Sequence, residues 1–112
     1  MDWSILNELS QLDKISEESN TQPVAIFKHS IRCPISATAK DRFERAWKKV
    51  ADHKNLKVYY LDLINLRPIS NEIATRFSIQ HESPQIIVLK NGKVVYDESH
   101  YGINLEEILE SV

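Results

Sequence analysis

The sequence predicts an α/β fold: a central four-stranded mixed sheet with helices on both faces, in the order α-β-α-β-α-β-β-α. Three observations carry this reading. Apolar residues switch repeatedly between helical spacing and short strand-like runs. Asn91-Gly92 lies between two apolar runs, and both residues accept the positive φ of a type I′ hairpin turn. Strand–helix–strand units call for parallel pairs joined by right-handed crossovers, with the hairpin added at one side. The 112 residues fit one domain, residues 1–112.

Each element has its own signal. Ile5, Leu6, Leu9, Leu12 and Ile15 recur at helical steps and predict a first helix, broken at Ser10 or by the polar run Ser16 to Gln22. Pro23 introduces a strand over about residues 24–29. Pro34 opens a long helix whose apolar face is Ile35, Ala39, Phe43, Ala46, Trp47 and Val50, ending near Asp52–Asn55. Leu56 to Leu63 is too short and too rich in β-branched and aromatic residues for a helix, so it is a strand. Pro68 starts a helix carrying Ile69, Ile73, Ala74 and Phe77. Ile86–Leu89 and Val94–Tyr96 are the hairpin strands. Asn104 with Glu107 three residues on resembles a capping box, and Leu105, Ile108, Leu109 and Val112 form the stripe of a closing helix.

Composition narrows the function. Apolar residues at 42% and charged residues at 27% are ordinary for a soluble globular protein, and a net charge of −2 provides no basic field for nucleic acid. The start, Met1-Asp2-Trp3-Ser4, lacks the features of a signal peptide, and no apolar run reaches membrane-spanning length. The expectation is a cytoplasmic protein without membrane or nucleic-acid partners. A single cysteine excludes an internal disulfide, and His29, His53, His81 and His100 show no metal-ligand spacing with Cys33 or with one another.

The chemistry concentrates at Cys33. A lone cysteine is usually a small buried apolar residue. Here it stands at a strand-to-helix junction with Arg32 before it and Pro34 after it, and proline is best tolerated at the first helical position. Cys33 is then the N-cap, its sulfur facing the free N–H groups of Ile35 and Ser36. These carry roughly half a positive charge through the helix dipole, which favours the nucleophilic thiolate. Arg32 either assists that ionisation, grips an anionic thiol, or is a solvated loop cation. Ser36 stands three residues on, where two-cysteine redox proteins keep a resolving thiol. It either donates to the thiolate or is a first-turn capping serine. Lys28 and His29 end the strand and are candidates for a minor role, His29 as a general base or simply as a strand-end polar residue. Ser83-Pro84 either forms a cis bond beside the thiol or starts the third strand.

Cys33-Pro34-Ile35-Ser36 after the first core strand, with Ser83-Pro84-Gln85 before the hairpin, resembles the thioredoxin fold over nearly the whole chain. More narrowly, Phe27-Lys28-His29-Ser30 leading to Cys33-Pro34-Ile35-Ser36, with His81-Glu82-Ser83-Pro84-Gln85 downstream, resembles the monothiol bacilliredoxins. The resemblance implies a bacterial cytosolic enzyme that removes bacillithiol from mixed disulfides with proteins. Cys33 is then the attacking cysteine, Ser36 replaces a resolving cysteine, and Pro84 is a cis-proline facing the thiol, with Ser83 as its partner. It further implies bacillithiol as thiol co-substrate, no tightly bound cofactor, S-bacillithiolated proteins as partners, and a second small thiol or a partner reductase for recycling. Val24 to Phe27 lacks the buried acid of thioredoxins, and with only Gly92 and Gly102 the glycine signatures of glutaredoxins are missing. Two other classes stay open: a thioredoxin-like binding module with a passive Cys33, and an iron–sulfur carrier using Cys33 and an external thiol.

Overall fold

Strand β2 (Val24–His29) is buried at all six residues, so Val24 to Phe27 read as a continuous apolar run and not as an alternating one, with Lys28 and His29 at its end. The computed structural model describes residues Met1–Val112. Around β2 it places β1 (Ser4–Ile5), α1 (Gln11–Glu18), α2 (Pro34–Lys49), β3 (Lys57–Asp62), α3 (Arg67–Phe77), β4 (Gln85–Lys90), β5 (Lys93–Ser99), a 3-10 turn (His100–Gly102) and α4 (Leu105–Glu110). The sheet order is β1-β3-β2-β4-β5, with β1, β3 and β2 parallel and the hairpin strands antiparallel.

Side chains alternate across β2 and divide the interior in two. Ala25 and Phe27 enter the core under α2 and α4, with Ala39, Phe43, Val58, Ile86, Val88 and Ile108. Val24 and Ile26 enter the core under α1 and α3, with Leu12, Ile15, Leu61, Ile69, Ile73, Ile87 and Leu89. Burial of each such Leu or Ile side chain stabilises the fold by about 1.5–3 kcal/mol. No helix is long and apolar enough to cross a membrane.

The sheet has five strands where four were expected. The apolar stripe read as one helix from Ile5 is a two-residue strand followed by a turn and a shorter helix. Ser4 and Ile5 pair with Tyr59 and Tyr60, and Leu6 N–H donates to the Tyr60 carbonyl at 3.0 Å. Gln11 holds the break. Its Oε1 accepts the N–H groups of Asn7 and Glu8, and its amide donates to the Ile5 carbonyl. Leu6, Leu12 and Ile15 are buried, whereas Ile5 and Leu9 face solvent.

Helix α2 ends at Lys49, before the expected Asp52–Asn55. His53 stacks on Trp47 at 3.8 Å, and its Nε2–H reaches the Trp47 carbonyl at 2.8 Å. The expected apolar face of the helix holds at Ala39, Phe43, Ala46, Trp47 and Val50; only its first turn differs, where Ile35 is exposed and Ser36 is fully buried. Asn91 and Gly92 both have positive φ, as the hairpin reading required. Asn104 caps α4 by accepting Glu107 N–H at 3.2 Å, while its own N–H donates to the Tyr96 hydroxyl and not to Glu107.

Ser19, at the end of α1, had no sequence signal. Its carbonyl accepts Asn91 N–H at 2.7 Å, and its hydroxyl accepts Gly92 N–H at 2.8 Å while donating to the Ser16 carbonyl at 2.6 Å. It therefore docks the hairpin turn against α1. Ser19→Ala is expected to lower the urea midpoint by the equivalent of about 1 kcal/mol with an unchanged m-value. An unaltered midpoint contradicts this docking role.

Candidate active site

The parallel strands β2 and β3 end, and the antiparallel strand β4 begins, at one edge of the sheet. His29 pairs with Asp62, and Lys28 with Gln85. The turn leading to Cys33, the segment leading to α3 and the Ser83-Pro84 bend therefore share that edge, the usual place for sites in such sheets.

The turn after β2 closes when Cys33 N–H donates to the Ser30 carbonyl at 3.2 Å, and α2 begins as Ala37 N–H donates to the Cys33 carbonyl at 3.2 Å. Cys33 has extended N-cap geometry (φ −107°, ψ 114°), with Pro34 in the first turn behind it. Its free thiol is partly exposed. Ile31, Arg32, Pro34 and Ile35 around it face solvent. The sulfur stands at the helix start as expected but accepts no capping hydrogen bond from the helix amides.

Ser36 looks inward. Its fully buried hydroxyl accepts Ser30 N–H at 3.0 Å and lies 2.7 Å from His29 Nδ1. The turn that presents Cys33 is thus tied to the helix by the Ser36 side chain. The sequence reading of a donor to the thiolate and that of a capping serine both miss this contact. Burial, then the positive charge of Lys40, holds the His29 imidazole below its ordinary pKa, against Asp62 and Glu44. The ring is therefore neutral near pH 7, and the Ser36 O–H can donate to Nδ1. Asp62 Oδ1 is buried on the same side without a partner.

Lys28 points to the opposite face. It is fully buried, its amine 3.2 Å from the Ser70 carbonyl and 3.3 Å from His81 Nδ1. Burial pushes its pKa down to about 8, with Asp97 pulling the other way. A lysine inside an apolar strand run was the sequence signal for such a pocket; its partners, 42 and 53 residues away, were not legible. The Ser83-Pro84 bond is cis, Pro84 is buried, and the Ser83 hydroxyl is buried without a partner. His100 N–H donates to the Pro84 carbonyl at 3.0 Å, joining the 3-10 turn to this bend. Nowhere do three His, Cys, Asp or Glu side chains come together closely enough to hold a metal ion.

With one thiol in the chain, a disulfide formed at Cys33 must be intermolecular. An accessible sulfur at a helix start suits thiol–disulfide exchange through a mixed disulfide.

The sequence profile of the family described as "Monothiol bacilliredoxin BrxC" matches residues 4–108. A solved structure described as a candidate oxidoreductase with a thioredoxin fold is 31% identical, with a TM-score of 0.80, covering 96% of this chain and 91% of its own. Thioredoxin from Malassezia sympodialis is 13% identical with a TM-score of 0.73, covering 98% of this chain and 87% of its own. Thioredoxin from Fasciola hepatica is 18% identical with a TM-score of 0.66, covering 96% and 94%. The fold is the thioredoxin fold.

His29 yields a testable consequence. Its pKa is lowered by folding, so as pH falls through its ordinary value the unfolded chain takes up a proton that the folded chain refuses, and stability declines. His81 acts in the same direction. The urea midpoint is expected to drop between about pH 7 and pH 5.5, and His29→Gln to flatten that slope. An equal slope in both proteins rules out His29 as its source.

Proposed function

The chain belongs to the monothiol bacilliredoxin family, and on that premise we propose that it removes bacillithiol from S-bacillithiolated proteins. Family and fold support a thiol oxidoreductase. The observation that carries the finer reading is a single, partly exposed thiol at the start of α2, in a chain without a second cysteine.

The Cys33 thiolate attacks the bacillithiol sulfur of the mixed disulfide. A new S–S bond forms between Cys33 and bacillithiol as the old one breaks. The electron pair leaves with the protein's sulfur, which takes a proton from solvent. The protein is reduced and Cys33 is bacillithiolated. Because Ser36 has no thiol, the second step is intermolecular. A second bacillithiol attacks, leaves as bacillithiol disulfide and restores Cys33; a partner reductase can supply the same two electrons.

In this reading Cys33 is the catalytic residue and Pro34 starts the helix behind it. Arg32 is a cation beside the incoming disulfide, and Ser83 and Pro84 line the edge where an extended substrate segment adds to the sheet. Ser36 and His29 act by holding the turn. Bacillithiol is a co-substrate, and the setting is the bacterial cytoplasm.

The test is a bacillithiolated protein mixed with wild type or Cys33→Ala. Wild type is expected to release the protein thiol and gain the mass of one bacillithiol on Cys33, and the variant to show only the uncatalysed background. Undiminished release by Cys33→Ala contradicts the mechanism. Loss of release with no adduct on wild-type Cys33 contradicts it equally.

A further inference from the structure

Lys28 is an expensive residue where it stands. Its neighbours on that face of the sheet include Ile26, Leu61, Ile73 and Ile87, among which a methionine packs without charge. Instead a fully buried amine meets a main-chain carbonyl and an imidazole, and forms no salt bridge. A buried charge without an opposite charge destabilises a fold.

What the amine touches explains the cost. His81 Nδ1 lies 3.3 Å from Lys28 Nζ and 3.2 Å from Ser70 Oγ. An ammonium has donors and no acceptor, so the nitrogen facing it must carry the lone pair. His81 opens the segment His81–Pro84, which enters β4 at Gln85, the register partner of Lys28. Gln85 stiffens this segment: its Oε1 accepts Glu82 N–H, and its amide donates to the Gln80 carbonyl and to Asp97. The imidazole is half-buried, and its segment leads into the Ser83-Pro84 bend at the edge shared with the Cys33 turn. Arg67, exposed at the start of α3 and in no ion pair, is among the charges that His81 feels.

We propose that Lys28 is a positioning residue: with the Ser70 hydroxyl it holds His81 by Nδ1, keeping the ring's proton on Nε2 as a donor to the anionic group of the small thiol in the substrate. This rests on the proposed exchange reaction and deepens it, because it assigns the small thiol to one side of the site. The charged groups facing the cluster are consistent with it. Lys28 faces His81 and Asp97; His81 faces Lys28, Arg67 and Glu82. Burial, Lys28 and Arg67 keep the imidazole neutral at pH 7, and Lys28 is charged there.

The test has two arms. Nitrogen-15 NMR of the imidazoles in the free protein at pH 7 is expected to show His81 with its proton on Nε2, and Lys28→Met/Ser70→Ala to show protonated Nδ1 as well. This arm needs no substrate. In the second arm a peptide mixed disulfide carries either bacillithiol or uncharged 2-mercaptoethanol. His81→Phe and Lys28→Met are expected to raise KM about tenfold for the anionic adduct with kcat nearly unchanged, the size of one charge-assisted hydrogen bond. They leave the neutral adduct unaffected, and His81→Gln restores part of the loss through its own amide donor. Lys28→Met is at the same time expected to raise the denaturation midpoint, opposite to its effect on KM. A His81 that keeps only the Nε2 proton in the double variant overturns the assignment, as does equal loss on both adducts. Wild type inactive on both adducts defeats the exchange reaction instead, and the NMR arm still decides the role of Lys28.

Discussion

The Ser36 hydroxyl determines where Cys33 stands. It accepts the amide of Ser30 and meets His29 Nδ1, so one buried oxygen joins the end of β2, the turn and the first turn of α2. Buried polar groups are tolerated only when partnered. The partner Ser30 N–H needs comes from the helix that follows, so turn and helix can form only together. The sulfur three residues before Ser36 is thereby placed at the rim, outside the aliphatic core, at the start of α2.

The same strand works on both faces. Alternation sends His29 toward α2 and Lys28 toward α3, each into a polar pocket at the end of an otherwise apolar strand. Two consecutive residues therefore reach two different parts of the site. His29 supports the turn that carries the thiol, and Lys28 supports the segment that carries Ser83 and Pro84. A mixed sheet makes this convergence necessary, because the carboxyl ends of β2 and β3 and the amino end of β4 meet at one edge.

Stability is given up at this edge. Lys28 lies buried away from any salt bridge, and Asp62 Oδ1 and the Ser83 hydroxyl are buried without partners. The opposite end of the sheet is satisfied by comparison: Lys57, Glu18 and Tyr59 bond one another, and Ser19 holds the hairpin turn. Unfavourable groups gathered where the only thiol lies, and absent elsewhere, fit a fold whose core supplies stability while one rim is shaped for chemistry.

The sequence by itself determined the α/β class, the hairpin at Asn91-Gly92, the helix opened by Pro34 and the position of Cys33 at its start. These are local effects: periodicity, proline's fixed φ, and a turn that needs positive φ are all written within a few residues. Tertiary structure alone decided the fifth strand, the inward turn of Ser36, and the partners of Lys28 and His29. Two residues of strand become a strand only when β3 is there to bond them. Ser36 turns inward only because Ser30 and His29 wait behind it. A lysine in an apolar run announces that something must receive its charge, but the carbonyl of Ser70 and the ring of His81 come within reach only once β2, α3 and the loop before β4 have packed.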